Sequence, residues 1–532
     1  MAPGRDGLTV DRTRRGRAGG GYNANRNGGA GMVQKTGSAA LDRNSAGSRD
    51  GLRRQPLVPL RGAPNLHLYQ PEKLERLREA TLDILDTVGV RFDSREALLV
   101  LSDHGARVDK ASRVVTFPPD LVLSAMARAP RVFTLAARAP AFDLPLTEGV
   151  TYATTDGSGT EVIDWRTRER RPSTKADVAD IARLLDYLPS LAFWWPTVTS
   201  GDFGQTGPLH DLDAAWNNTV KHLQGMVMGK AAAQYAVEMA TVIAGSREAL
   251  RERPLLSDLI CPVSPLVQDG DAIEAALVLG SAGIPVTFCS SPTRGMTAPA
   301  TSAGAFALAA AEVVSASVLV ELAYPGAPVL QSLMIGKVDP RNGRIMTAPL
   351  NPQARFLPTA LVHSWGVPAL TPFGGTDAEL PGTWQYGVEQ TETLVLAAFD
   401  GAETMTGFGL SNVYTLFSPE EMMLGNDIYM KASSLLGELS TDEEQLALDV
   451  IRDVGPGGHF LAHRHTRRHM KEAALSAISH ELGADGHYRD PLGVARERAE
   501  TVLRDYHPEL LPDDQRDELT RILRAADGEL RR

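Results

Sequence analysis

Cysteine is almost absent: Cys261 and Cys289 are the only two in 532 residues. That count excludes a disulfide framework and any C-x-x-C metal or redox site, and it fits a reducing cytoplasm. Both are expected to be buried core residues. No uninterrupted apolar run reaches the roughly 18 residues that a membrane span needs. The nearest approach, AGAFALAAAEVVSASVLVELAY (303–324), contains Glu312 and Glu321 and reads as a buried helix. An N-terminal apolar h-region is missing, so no secretory signal is expected. Catalytic motifs are missing as well. No G-x-G-x-x-G follows a strand and no G-x-x-x-x-G-K-[ST] occurs, which leaves nucleotide binding without support. No G-x-S-x-G elbow marks a nucleophilic triad, and nothing marks a paired-carboxylate hydrolase.

Positive charge is scarce outside one segment. The formal net charge is −11, which argues against a general nucleic-acid binder. Residues 1–61 hold twelve Lys/Arg against four Asp/Glu, leaving 42 against 61 for the rest. GRAGGGYNANRNGGAG has too little apolar content to fold. Residues 1–64 are therefore expected to be a disordered basic Gly/Arg-rich tail, with Met32 a candidate start, attached to an acidic body.

That body has a rhythm. PEKLERLREATLDILDTVGV sets Leu74, Leu77, Leu82 and Leu85 on one face of a helix, with Pro71 in the first turn and Gly89 as its stop. It opens a helical and mixed extension over residues 65–150. From Thr151 short apolar runs alternate with helical patterns: TYATTDGSG, LAFWWPTVTS, LQGMVMG, LLSDLICPVSP, GIPVTFCSS, APVLQSL, VPALTPFGG and AETMTGFG. Eight such units over about 280 residues match an α/β (β/α)8 TIM-type barrel, here 151–440, with a doubly wound open sheet as the alternative. A C-terminal helical region, 441–532, follows.

In a barrel, function gathers where strands end. Those positions carry Asp156-Gly157-Ser158-Gly159, Ser200-Gly201-Asp202, Ser290-Ser291 with Arg294-Gly295-Met296, Gln331-Ser332, Gly374-Gly375-Thr376-Asp377 and Gly407-Phe408-Gly409. Aromatics make up only 6% of the chain, yet Trp194, Trp195, Phe373, Trp384, Tyr386 and Phe408 lie near these ends. An aromatic cage suits a quaternary ammonium, which has no proton to donate and binds through cation–π attraction. In GPGGHFLAHRHTRRHMKE, the pairs His459/His463 and His465/His469 are spaced to ligate zinc from a helix. Arg464, Arg467 and Arg468 are interleaved and no carboxylate or thiol is close by, so no metal is expected. Composition and spacing stop at a barrel enzyme with a small-molecule pocket.

Several runs go further. CPVSPLVQDGDAIEAALVLGSAGIPVTFCSSPTRGMTAPATSAGAFALAAAEVVSASVLVELAYPGAPVLQ (261–331) closely resembles the central segment of the trimethylamine methyltransferase family, the corrinoid-dependent methylamine and betaine methyltransferases. GMTAPATSAG followed by AE and PGAPV is its most specific part, and YATTDGSG and VGPGGHFLAHRHT add to it. The resemblance spans about residues 65–480 and implies a (β/α)8 barrel. Family members that act on trimethylamine carry pyrrolysine in the loop that FGGTDAEL resembles. Here Leu380 stands at that place, and PGTWQYGVE is one residue longer than the usual pattern. The resemblance therefore points to the branch without pyrrolysine, which demethylates glycine betaine and similar quaternary amines.

It implies transfer of a methyl group from a quaternary or tertiary amine to the cobalt of a corrinoid (cobalamin). No cofactor is then bound tightly by this chain, because a cognate corrinoid protein presents it. Trp194, Phe373, Trp384 and Phe408 become candidate cage walls, with Gly374, Gly375, Thr376 and Leu380 in the loop beside them. Asp156 or Asp377 would oppose the cation, and Arg294 or Gln331 would hold a substrate carboxylate. A cytoplasmic homo-oligomer without nucleic-acid or membrane contacts is expected. The alternatives are a zinc-dependent methyltransferase using His459/His465 on the same barrel, and a non-catalytic quaternary-amine binding protein.

Overall fold

The apolar runs are short and rich in Val, Leu and Thr, and most are stopped by Gly, Pro or Ser before a helix begins. The computed structural model describes residues 52–61, 69–346, 352–372, 375–437, 439–470 and 477–530. From residue 150 to residue 434 these contain β1 (Val150–Thr155), β2 (Phe193–Trp194), β3 (His222–Gly225), β4 (Leu256–Ile260), β5 (Val286–Ser290), β6 (Val329–Leu333), β7 (Leu370–Pro372) and β8 (Thr404–Phe408). A main helix follows each in turn: Lys175–Tyr187, Gly207–Trp216, Lys230–Ala244, Gly270–Ser281, Ser302–Ala323, Pro352–His363, Trp384–Ala398 and Pro419–Ser434. Side chains start several of them. Thr174 and Asp177 form a capping box, and Asp269, Thr383 and Ser418 each accept a backbone N–H of the first turn.

The chain is thus an α/β protein. Strands β2 to β6 pair in chain order as one parallel sheet. Strands β7, β8 and β1 form a second parallel run, with Leu60–Arg61 antiparallel beside β1. Single parallel bridges, Ala153 to Leu191 and Gln331 to Ala369, join the two sheets at both seams. All described residues belong to the unit Ala40–Arg532; the basic tail expected over 1–64 lies mostly outside them.

Alternate residues along a strand point to opposite faces, and the core divides accordingly. Ala153, Trp194, Leu223, Ile260 and Phe288 belong to the main cluster shared with the helices. The other face forms two small clusters. One holds Tyr152, Phe193 and Leu330 near the strand starts. Nearer the strand ends, the second holds Leu259, Cys289 and Leu370, with Trp195 and Met226 packed against it.

The helix Ser302–Ala323 is long and apolar enough to cross a membrane by length and composition, more so than its two glutamates imply. Every residue from Ala305 to Leu322 is buried in protein, as expected of a helix that is apolar all round. Glu312 takes hydrogen bonds from Leu266 N–H and from the Ser264 and Ser290 hydroxyls, so no bare charge is enclosed. After residue 434 the helix Pro491–Asp505 packs on Pro419–Ser434 and Lys175–Tyr187, while Asp513–Leu530 packs on Lys230–Ala244.

Gly425 sets the distance between β8 and the helix Pro419–Ser434, since a Cβ there would meet Phe408 Cβ at 2.6 Å. Gly425→Ala is expected to destabilise the protein by about 1–3 kcal/mol through overpacking. The shift of the urea unfolding midpoint measures this, and an unchanged midpoint would contradict the packing.

Candidate functional site

Asp156 follows β1 directly. Its backbone N–H donates to Phe408 O at 3.2 Å, which ties the end of β1 to the end of β8. Only 2% of its surface is exposed. The Thr406 side chain hydrogen-bonds to the carboxyl, while Oδ2 is buried with no partner. Burial pushes its pKa up to about 7, against a smaller lowering by Thr406. A sealed carboxyl with an orphaned oxygen is a place where a cation would replace a proton.

Residues just past the ends of β1, β2 and β3 shape the surroundings. The Trp195 indole lies across Gly157, where a Cβ would meet the ring at 2.6 Å. Ser158 adopts φ 69°, and its hydroxyl lies 2.9 Å from Met226 Sδ. Trp195 and Met226 border the small cluster of Leu259, Cys289 and Leu370. The floor of the site is therefore aromatic and sulfur-rich, and soft, polarisable groups of this kind suit methylated cations.

The loop after β7 supplies the opposite side. Glu389, on the helix Trp384–Ala398, accepts from Thr376 Oγ1 at 2.5 Å and from Asp377 N–H at 2.8 Å. The loop after β8 is stitched to it: Asn412 N–H donates to Ala378 O at 2.8 Å and Val413 N–H to Thr376 O at 3.3 Å. Asn412, Val413 and Tyr414 all have positive φ (54°, 55° and 62°). A β-branched residue in such a run is a strained arrangement that the surroundings must hold in place. It lays the Tyr414 ring against Gly375, where a Cβ would come within 2.3 Å of the ring. Gly375 itself has φ 88°, so glycine is required there twice over.

Burial raises the Tyr414 hydroxyl well above its ordinary range, with Asp156 and Asp377 adding to it and Arg355 opposing. These groups therefore share one electrostatic neighbourhood. Behind Asp156 sits a second sealed acid, Glu421, bonded to the Ser411 hydroxyl. Burial raises its pKa well above the usual value, and Asp156 raises it further. Asp156 thus interacts with a second buried acid, Glu421, and with the Tyr414 hydroxyl.

The residues expected from sequence divide sharply. Asp156, Gly375, Thr376 and Asp377 come together as described. Phe373 and Gly374 lie outside the described residues. Trp194 does not line the site, because strand alternation turns it into the helix-facing core; Trp195 holds the position instead. Phe408 is turned the same way, with its ring 6.3 Å from that of Tyr429. Trp384 is 87% exposed at the start of its helix and encloses nothing. Gln331 is buried on the outer face, with Nε2 donating to Ser317 Oγ at 2.9 Å. Arg294 Nη1 donates to Ser302 Oγ at 2.9 Å, at the start of the long helix. Leu380 is 52% exposed, and its carbonyl accepts from Thr383 Oγ1 at 3.3 Å.

Sequence reasoning missed Tyr414, Met226, Glu389 and Arg355. Tyr414 had one signal, the position of Asn412 just past the glycines of β8. His459 and His463 do not share a helix, which begins only at Arg464 after the Gly-Pro-Gly-Gly run. His463 Nδ1 instead accepts from His465 N–H at 3.1 Å. Cys261 is exposed rather than buried. Among the described residues no three His, Cys, Asp or Glu side chains converge as a metal site.

The fold and the site define an α/β protein with a buried acid, Asp156, among aromatic residues at its strand ends. Comparison with known proteins narrows this. The pattern described as trimethylamine methyltransferase (MTTB) matches residues 36–527, and the chain belongs to that family. The trimethylamine methyltransferase MttB of Desulfitobacterium hafniense is 33% identical over 454 residues, 84% of this chain and 91% of its own. The glycine betaine methyltransferase of Desulfitobacterium hafniense Y51 is 27% identical over 458 residues, 84% of this chain and 94% of its own. The solved monomethylamine methyltransferase of Methanosarcina barkeri aligns with 82% of this chain and 92% of its own at 11% identity, with a TM-score of 0.39.

The raised pKa of Asp156 gives the site a measurable signature. Its ordinary value is 3.8 and its folded value about 7, so between these the folded state keeps a proton that the unfolded chain has lost. Stability contributed by this group is therefore lost as pH rises through that window, on the order of 4 kcal/mol at most. Asp156→Asn should lose less stability than wild type between about pH 5 and pH 8 in urea titrations. Equal losses in the two proteins would mean the carboxyl is not held protonated.

Proposed function

We propose that the protein is a closed (β/α)8-barrel methyltransferase that takes a methyl group from a quaternary amine of the betaine class and delivers it to the corrinoid of a separate protein. The single observation that carries the reading is the orphaned, sealed carboxyl of Asp156, next to Gly157 under the Trp195 ring and within electrostatic reach of Tyr414. Barrel closure is supported by the two parallel bridges that join the sheets at both seams. Methyl transfer is supported by membership of the family, and a betaine-class substrate by the name of one relative and by the lack of pyrrolysine in this chain. A cytoplasmic location and assembly into a homo-oligomer belong to the same proposal.

The reduced cobalt of the corrinoid supplies the nucleophile, and the protein's task is to hold the methyl donor for it. Trp195 and Tyr414 present ring faces to a cation that has no N–H. Asp156 gives up its proton to solvent when the cation arrives and becomes the counter-charge. Arg355, whose guanidinium lies 3.9 Å from Glu392 Oε1, is suited to the carboxylate end of a betaine. The nitrogen departs as a neutral tertiary amine, so no general acid is required of any side chain. Because another protein would carry the corrinoid, the question of fit is whether the site is open: Ser158 and Cys261, beside the Trp195–Met226 floor, are both exposed.

Three experiments test this. With glycine betaine, added free cob(I)alamin or a corrinoid protein should be methylated, seen as loss of the cob(I) absorbance, while trimethylamine gives no reaction. Calorimetry near pH 7 in buffers of differing ionisation heat should register proton release on binding. Trp195→Ala should weaken the amine by up to about 30-fold, the upper range of a desolvated cation–π contact. Methylation of cobalt by trimethylamine alone, or unaltered affinity in Trp195→Ala, would overturn the assignment.

A further inference from the structure

The only two cysteines in the chain, Cys261 and Cys289, stand 28 residues apart in the sequence.

The fold closes that separation. Strands β4 and β5 pair in parallel with Asp258 opposite Val286, Leu259 opposite Thr287 and Ile260 opposite Phe288. The next position along this register sets Cys261 opposite Cys289. Neighbouring strands lie about 4.8 Å apart, inside the roughly 4.4–6.8 Å Cα separation that a disulfide spans. Cys289 also faces Ser332 across the β5–β6 pair. The two thiols hydrogen-bond to one another. Cys261 is exposed while Cys289 is buried, so one sulfur of the pair is open to reagents.

We infer that Cys261 and Cys289 form a vicinal dithiol at the open end of the candidate site, which takes thiophilic ligands of the trivalent arsenical class and closes to a disulfide when offered a small-molecule disulfide. The polarity of the pair agrees. Hydrogen bonding from Cys261 lowers the Cys289 thiol, with the Ser332 hydroxyl contributing, while the same contact raises Cys261. Of the two, Cys289 is the one whose thiolate the contact favours, with Cys261 as the donor. With an aryl disulfide, one cysteine thiolate attacks a sulfur and expels one aryl thiolate, leaving a mixed disulfide. The second thiol loses its proton to solvent, attacks the protein sulfur of that mixed disulfide and expels the second aryl thiolate. The protein is oxidised by two electrons and the reagent is reduced to two thiols. With phenylarsine oxide no electrons move: two thiols and the arsenic oxide give a dithioarsenite ring and water.

The test uses the intact native chain with dithiobis(nitrobenzoate). Wild type should release two aryl thiolates per chain, retain no aryl group and become lighter by two hydrogens in its intact mass. Cys261→Ser and Cys289→Ser should each stop at one released and one retained aryl group. Phenylarsine oxide should stay on wild type in the presence of a monothiol and be stripped from both variants. Aryl groups retained on wild type, or an arsenical held equally by wild type and variants, would overturn the inference. Any effect on amine binding rests on the function proposed above: arsenical-loaded wild type should lose its thermal shift with glycine betaine while treated Cys261→Ser keeps it. An untreated protein that shows no shift would count against that function and leave the thiol chemistry standing.

Discussion

A carboxyl sealed at the end of a strand must be either protonated or paired, and the arrangement around Asp156 leaves it waiting for a partner. Its Oδ2 has none, and the buried acid Glu421 lies close enough to interact with it. Two negative charges in that space would repel at low dielectric, so burial and repulsion together favour the protonated forms. The rest of the site depends on this. On the proposed function, the rings of Trp195 and Tyr414 add attraction for a cation without adding a formal charge.

Holding that space open requires strain elsewhere. The left-handed run Asn412-Val413-Tyr414 is costly for three side chains with Cβ atoms. It persists because Thr376 and Ala378 accept its backbone N–H groups, and because Glu389 fixes Thr376 and Asp377 in turn. The helix after β7 therefore acts on the pocket at one remove. The glycines that end VPALTPFGG answer to the same need: Gly375 leaves room for the Tyr414 ring, and the polar residues after it anchor the neighbouring loop.

The alternation of strands and helices was legible in the sequence because each apolar run was stopped by a local signal. The facing of side chains was not. In LAFWWP two adjacent tryptophans alternate faces, and nothing local says which one points to the helices; only the pairing of β2 with β3 decides it. Gln331 was misread for the same reason, as its strand position was right and its parity wrong. Trp384 looked like a cage wall because it follows the loop, but a helix N-terminus turned it to solvent. Asp156 was legible because it is the lone acid in a Gly-Ser turn at the end of an apolar strand. Tyr414 was not, since its role comes from a backbone conformation that neither Val413 nor Tyr414 favours.

A methylated cation loses its charge as the methyl group departs. A strong, permanent ion pair would stabilise the bound substrate more than the transition state, and so slow the reaction. The site described here avoids much of that difficulty. Its attraction comes from ring faces and from one carboxyl whose folded pKa lies near 7, so the counter-charge can be neutralised by a proton as the amine becomes neutral. On the proposed function, the burial that leaves Asp156 without a partner is what keeps the bound cation from being held too well.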